Sequence, residues 1–595
     1  MINSTSKTEQ TDSWELHVSR WLQLFEQTIT RASTGPLQDL FHEDCHWRDL
    51  LAVTWHVKTV SGIHNILALI QALTAESRPY GFQIPQDHAA PRPVVRAGVD
   101  VIEAIFSFET NVGRSHGVIR LTPDTNNSGQ LKAWSLLTKL EELKGFEEQL
   151  GRHRPSGETY SRGFEGPNWL DLRNIDVRYE ERSPSVVVVG AGQAGLSVAA
   201  RLRQLQVDTL IVEKNDRVGD NWRNRYHALT LHNQVQVNHL PYMPFPPTWP
   251  TYIPKDKLAG WFETYAEAME LNVWTATEVG GGQYHPDKRR WSIELRSSDG
   301  RRQTLTPQHV VMATGVSGIP NLPDDIPSFT DFAGTTVHSE EYTDGIAWQG
   351  RKALVLGTGN SGHDIAQDLY VNGVDVTMIQ RSPTMVVNIE PSAQLPYALY
   401  EEGPSLEDCD LLAAATPLKV LRKMHQLVTE KAKTFDKPLL DALSGAGFLL
   451  DYGKNNTGWQ FKYLERGGGY YFNVGCSDLI ANGQIRVVQF QDVDRFIAAG
   501  AKLNNGETLD ADLLVTATGY KGQHHLVASL FGQEVSNRCG PIWGFDEESQ
   551  ELRNMWMRTG QPGLWFFAGS FAQCRIFSRT LALQIKAINE GLLSW

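Results

Sequence analysis

A G-x-G-x-x-G turn occurs twice in this chain, each time between a short apolar run and a helical pattern. Gly190, Gly192 and Gly195 follow Val186–Val189, and Gly357, Gly359 and Gly362 follow Ala353–Leu356. In such a turn the first glycine bends the chain, the second admits a pyrophosphate to the backbone, and the third lets helix pack on strand. The pyrophosphate rests on free N–H groups at the positive end of the helix. One copy is a weak signal. Two in strand–turn–helix context predict an α/β protein with two Rossmann-like dinucleotide-binding domains.

The two sites differ at the end of the next strand. Glu213 stands there in the first, twenty-three residues after Gly190, and a carboxylate at that position accepts hydrogen bonds from an unphosphorylated ribose. The same offset from Gly357 reaches Gln380, followed by Arg381. Loss of the acid and gain of a guanidinium suit a ribose 2′-phosphate. The first site is therefore expected to hold FAD, with NAD as the alternative, and the second NADPH.

Composition narrows the partners. At 595 residues the chain exceeds one core, and its length suggests roughly four domain-sized units. A formal charge of −13 with no strongly basic domain argues against nucleic acid. No apolar stretch is long enough to span a bilayer, and neither end reads as a targeting signal, so a membrane partner is not expected. Five scattered cysteines contain no C-x-x-C pair, which speaks against a disulfide scaffold and a dithiol-using flavin reductase. A reducing, cytoplasmic location is expected.

Residues 1–150 read as a small α+β unit: a helical pattern over 14–32, then an alternating run near Val99–Phe108. Residues 151–183 read as a linker. Residues 184–330 and 480–595 are expected to form the FAD domain, and 331–479 the NADPH domain, with a helical insertion near 391–475. Two similar strand ends bring Ala313, Thr314 and Gly315, and Thr518, Gly519 and Tyr520, to the carboxyl edge of a sheet, where open α/β folds bind ligands. A last strand, Leu564–Gly569, leads to a final helix from about Arg579. His42, Glu43, Asp44, Cys45, His46 and Asp49 fit no metal-ligand spacing, and a polar loop is expected there. The aromatic segment Tyr242–Tyr252 reads as local packing, with a substrate channel as the alternative.

Between the turns the chain carries Phe332-x-Gly334-x-x-x-His338-x-x-x-Tyr342. With both glycine turns, this resembles the class B flavoprotein monooxygenases over residues 184–595. Arg225–His232 and Leu240–Pro246 are similar to segments of the YUCCA-type and flavin-containing branch. Thr343 departs from the Lys or Pro common in the family, and the loop after Trp222 lacks the Baeyer–Villiger sequence. His232 stands nine positions before Pro241, where many flavin-containing monooxygenases have Asn, and Asn233 is next to it. The segment Phe41–Asp49 after a long helix resembles a SnoaL or nuclear-transport-factor-2-like cone.

The resemblance implies an NADPH- and oxygen-dependent monooxygenase that forms a C4a-(hydro)peroxyflavin and inserts one oxygen atom into a small organic substrate. Oxidative decarboxylation of an aryl-2-oxo acid is the leading reaction. Baeyer–Villiger or N/S-oxygenation, or a non-oxygenating NADPH:acceptor flavin reductase, are the alternatives. His232, Asn233 and His338 are the implied catalytic residues. Gln193, Ala194, Lys214, Asn221 and Trp222 join the glycines, Glu213 and His232 toward FAD, while Asn360, Ser361, Arg381 and Ser382 serve NADPH. The cone implies a binding or dimerisation module, with a homodimer formed through it.

Overall fold

The computed structural model describes residues 5–30, 37–124, 130–156, 166–316, 318–323, 326 and 328–595. Two five-stranded, all-parallel sheets form its centre. The first has the order Asn272–Trp274, Thr209–Val212, Val186–Val189, His309–Met312, Leu564–Phe566. The second has the order Thr335–His338, Leu513–Thr516, Lys352–Leu356, Asp375–Gln380, Arg486–Gln489. Their central strands are near-continuous Val, Leu and Ile runs, as expected of strands covered on both faces. Counted along the chain from the strand that leads into each glycine turn, a three-stranded antiparallel meander precedes the fourth strand of each sheet, Thr277–Leu305 before His309–Met312 and Val493–Asp510 before Leu513–Thr516. The duplication thus extends beyond the glycine turns.

The expected boundary at 480 is corrected. Arg486–Gln489 and Leu513–Thr516 both pair in the second sheet, and only Leu564–Phe566 returns to the first. The two bodies are joined where Ile319–Pro320 pairs antiparallel with Tyr520–Lys521.

The N-terminal unit is a seven-stranded sheet backed by the helices Thr5–Thr30 and Ile63–Ser77. The expected polar loop is instead the strand Phe41–Leu50, paired with Val57–Ser61 and Leu131–Leu143. Its alternation explains the mixed sequence. Phe41 and Trp47 pack against Phe25 under the helices, and a space of only about 10 Å³ remains among Phe25, Trp47, Phe82 and their neighbours. Asp49 is fixed by the Val53 and Thr54 N–H groups and by the Thr54 and Thr138 hydroxyls. Arg48 faces the rest of the chain.

That second, charged face of the sheet is covered. Arg48 makes a two-pronged pair with Glu551, and Arg120 lies across Glu103. Arg48 also donates to the Ala414 carbonyl, and Arg120 to the Leu412 and Ala415 carbonyls. Both cations therefore sit at the carboxyl end of the helix Leu406–Ala414, where the helix dipole favours them. Arg92 and Arg96 bridge Glu103 to Glu402, and His88 meets Asp408. The insertion is thus docked on the N-terminal sheet.

Glu103 is 1% exposed. Desolvation raises its pKa, but the Arg96 hydrogen bond and the Arg120 and Arg96 charges outweigh that and hold the carboxyl down to about 2. A folded pKa below the ordinary 4.5 stabilises fully above pH 4.5 and loses that stabilisation as pH falls toward 2. Acid titration followed by tryptophan fluorescence is expected to show the docked face releasing across this window. Glu103→Gln should already be destabilised at neutral pH. A Glu103→Gln titration superimposable on wild type would refute this.

The expected linker contains the helix Trp169–Asp176, started by an Asn168–Asp171 capping box; its residues 157–165 lie outside the described residues. The final helix spans Phe571–Asn589, so it begins eight residues before Arg579. Ser570 and Gln573 form its capping box. Almost every residue along it is buried. Among the described residues no helix is long and apolar enough to cross a membrane.

Candidate active site

Gly190 has φ +106°, and its N–H donates to Val212 O at 2.8 Å. A Cβ on Gly190 would stand 2.8 Å from Ala313 O, and one on Gly195 only 1.9 Å from Gly190 O. Gly192 caps the helix Gln193–Gln204, and a Cβ there would crowd Asn221 Nδ2 at 3.1 Å. The turn is therefore a backbone cradle at a helix N-terminus, closed by Ala313 on one side and Asn221 on the other. Ala194 is buried in the first helical turn, and Gln193 Nε2 donates to Gly569 O.

Glu213 locks the cradle. Its carboxylate accepts from the Ala191 N–H at 2.8 Å and from both the backbone and side-chain N–H groups of Asn215. Lys214 is exposed beside it. The buried Trp222 indole N–H has no hydrogen-bond partner among the described residues, and the ring stacks toward Phe571 at 6.5 Å. At the adjacent strand end Thr314 accepts from Gln523, and Gly315 takes φ +73°. A cradle that any Cβ would fill, a fixed ribose-level acceptor and an orphaned indole N–H fit a dinucleotide such as FAD.

The second turn repeats this geometry. Gly357 has φ +118°, and Cβ atoms at Gly357 and Gly362 would stand 2.3 Å from Ala517 O and 2.2 Å from Gly357 O. Gly359 caps the helix Asn360–Val371, on which Ser361 is half-buried. Asn360 has a second task, since its side-chain oxygen accepts from the Phe472 N–H. Gln380, at the position of the missing acid, is 1% exposed. Its amide bonds both backbone groups of Leu449 and accepts from Gln489, anchoring the insertion. Arg381 and Ser382 are exposed, and Arg381 has no ion-pair or side-chain hydrogen-bond partner among the described residues. That leaves a guanidinium free for a phosphate.

The segment between the turns has a physical reason for each of its fixed residues. Phe332 packs with Leu354 and Leu356. A Cβ on Gly334 would strike the Phe332 ring at 2.4 Å. Tyr342 donates to Asp368 at 2.6 Å, on the helix of the second turn. His338 ends the edge strand of the second sheet, with its ring edge-on to Tyr520 at 5.4 Å. Its Nδ1 accepts from the Glu340 N–H, so the imidazole proton belongs on Nε2. That nitrogen lies buried beside the Gly519 backbone without a hydrogen bond of good geometry. Burial lowers the His338 pKa. Thr518 donates to Asn321 O, tying the return strand to the outgoing one.

His232 and Asn233 point into different surroundings. The His232 ring stands edge-on to Phe472 at 5.3 Å. Burial lowers its pKa, opposed by the charge of Asp364. Asp364 accepts from the Tyr226 hydroxyl across the two bodies, and burial raises its pKa. Asn233 instead lies within hydrogen-bonding reach of the Tyr397 hydroxyl. Gln394 donates to the His232 carbonyl at 2.9 Å, so the insertion holds this loop from one side. From the other side Arg575 pairs with Asp410 and donates to the Val237 and His239 carbonyls.

Sequence reading missed Asp364, Tyr397, Gln394 and Arg575. Only the Ser570-x-x-Gln573 capping box signalled the helix that carries Arg575. In the segment Tyr242–Tyr252, Phe245 stacks on Trp249 at 4.7 Å and Tyr242 bonds Glu148, which is local packing. Among the described residues no group of three or more His, Cys, Asp or Glu side chains could hold a metal.

A family described as pyridine nucleotide-disulphide oxidoreductase matches residues 187–402. The indole-3-pyruvate monooxygenase YUCCA1 of Oryza sativa subsp. japonica is 30% identical over 358 residues, which is 59% of this chain and 80% of that protein. The probable indole-3-pyruvate monooxygenase YUCCA4 of Arabidopsis thaliana is 30% identical over 339 residues, 57% of this chain and 76% of that protein. A cyclohexanone-bound structure of cyclohexanone monooxygenase superposes with a TM-score of 0.51 at 17% identity, covering 69% of this chain and 88% of that one. The structure of OTEMO complexed with FAD and NADP gives 0.50 at 16%, covering 69% and 86%. These two structures share the fold.

Proposed function

We propose, on the premise that this chain belongs to the YUCCA family of flavin-dependent monooxygenases, that it inserts one atom of molecular oxygen into a small organic substrate at the expense of NADPH. The first turn holds FAD and the second NADPH. The observation that carries this is the repeated glycine cradle at the head of two parallel sheets, with Glu213 fixed in one and Arg381 free beside the other. Bound FAD supplies hydride acceptance and oxygen activation.

The chain's own residues bind and orient. Gly190, Gly192 and Gly195 bring the pyrophosphate to the helix N-terminus, and Glu213 accepts from the ribose. Asn221 and Trp222 close over it, with Ala313, Thr314 and Gly315 on the facing strand end. Arg381 and Ser382 receive the 2′-phosphate of NADPH. His338 and Tyr520 brace the paired strands joining the two bodies. His232 offers the cleft a neutral ring beside Phe472 and Asp364 of the second body, while Asn233 faces Tyr397 and the substrate side.

Arg381→Ala is expected to raise KM for NADPH by about tenfold or more, the worth of one charge-assisted contact to phosphate, with KM for NADH little changed. Equal effects on both cofactors would sink the assignment.

Oxidative decarboxylation of an aryl-2-oxo acid is the reaction that the relatives' names indicate. A second reading, Baeyer–Villiger or N/S-oxygenation of an uncharged substrate, is favoured by one observation: the arginines lining a cavity of about 400 Å³ beside the final helix are already paired. Product mass spectra with labelled oxygen, over a panel of 2-oxo acids, ketones, amines and sulfides, separate the two; no label in any product would point to a reductase.

The N-terminal unit reads as a SnoaL or nuclear-transport-factor-2-like cone whose interior is filled, which favours a structural role over a pocket of its own. Because its charged sheet face is covered by the same chain, a homodimer would form through other surfaces. Five free, buried cysteines suit a reducing, cytoplasmic setting.

A further inference from the structure

A cavity of about 400 Å³ opens where the N-terminal sheet, the insertion, the 545–556 segment and the start of the final helix meet. This volume falls within the roughly 300–1,000 Å³ of small-molecule sites. Its lining is dominated by apolar side chains, with Trp556 and Phe577 stacked 3.8 Å apart in one wall. Val95, 61% exposed, belongs to the N-terminal wall, and Val428 comes from the insertion.

The cavity abuts the cofactor cleft. Ser570 and Gln573 line it, and the preceding residue, Gly569, accepts from Gln193 at the first glycine turn. Tyr397 lines it as well, within reach of Asn233.

Its charges are spent on one another. Arg48 pairs with Glu551, Arg96 with Glu103 and Glu402, and Arg120 with Glu103. A substrate carboxylate would have to break one of these pairs or be buried without a partner, and both are costly. His425 adds no cation, because burial pushes its imidazole down to about 4. Gln460 presents a buried side-chain oxygen with no hydrogen-bond partner among the described residues, an acceptor suited to one hydroxyl or N–H of a ligand.

We propose that this cavity is the substrate site, that it takes an uncharged, largely apolar molecule, and that the N-terminal unit supplies one of its walls. The inference rests on the monooxygenase reading, whose flavin would face the Ser570–Gln573 end.

The test titrates Nile red, a neutral apolar dye, into FAD-loaded enzyme and compares Val95→Trp and Val428→Trp, two variants that fill the cavity from the N-terminal unit and from the insertion. Saturable binding is expected, weakened about tenfold or more by each variant, with FAD content and thermal unfolding as in wild type. KM for uncharged ketones or sulfides should rise in parallel. Dye binding unchanged in both variants would overturn the cavity. A lower KM for an aryl-2-oxo acid than for its matched ketone would overturn the charge class. Wild-type enzyme that binds the dye but whose FAD is not reduced by NADPH would count against the oxygenase and leave the cavity standing.

Discussion

Gly195→Ala is expected to fold and to carry almost no FAD. The new Cβ would stand 1.9 Å from Gly190 O and 3.1 Å from its carbonyl carbon, both backbone atoms of the turn. No side-chain rotation relieves a clash with backbone, so the helix Gln193–Gln204 must move off the strand Val186–Val189. Overpacking of this kind costs about 1–3 kcal/mol in stability, which a chain of this size survives. The cradle does not, because the pyrophosphate needs the Gly190–Gly192 backbone and the helix N-terminus in register. Flavin absorbance per chain after purification measures it. Gly362→Ala, with a Cβ 2.2 Å from Gly357 O, should keep FAD and lose NADPH affinity instead. Full flavin content in Gly195→Ala would show that the first turn does not hold FAD.

Glu551→Ala is expected to destabilise the chain by about 3–5 kcal/mol, the cost of stranding one member of a buried pair. Glu551 is 4% exposed and receives both prongs of Arg48 as well as the Thr59 hydroxyl. Without it the Arg48 guanidinium keeps, among the described residues, one hydrogen bond to the Ala414 carbonyl and the face of the Phe577 ring. The double variant Arg48→Met, Glu551→Leu removes both charges and should recover most of the loss, since well-packed apolar replacements of buried pairs are often neutral. Chemical denaturation followed by tryptophan fluorescence distinguishes them. A single variant within about 1 kcal/mol of wild type, the value of an exposed pair, would mean that this contact does not hold the N-terminal sheet in place.

What was legible in the sequence was what depends on local backbone. The two cradles, Glu213 and the Phe332–Tyr342 segment could be read because each needs particular residue types at fixed short spacing. What was hidden depends on distant partners. His42–Asp49 looked like a loop because its polar residues have no use until Arg48 meets Glu551, more than 500 residues on. Gln380 looked like a vacated ribose site, and its amide is used by Leu449. The first two turns of the final helix are hidden because they are buried all round and show no amphipathic stripe before Arg579. The insertion carries no recognisable chemistry in its sequence, since Gln394 acts through the His232 loop and Tyr397 through that loop and a cavity built from distant segments.

The paired strands Ile319–Pro320 and Tyr520–Lys521 are a narrow join between two large bodies, and alone they would act as a hinge. The N-terminal unit changes that mechanics. It is tied to the first body through Arg579–Glu141 and Arg201–Glu148, and it grips the insertion, an outgrowth of the second body, through Arg96–Glu402 and His88–Asp408. A door pinned on one side is thereby latched on the other. Rotation of one body against the other then has a threshold set by these contacts; being largely buried they should resist added salt, whereas pH falling through the lowered range of the Glu103 and Glu402 carboxyls should loosen the latch.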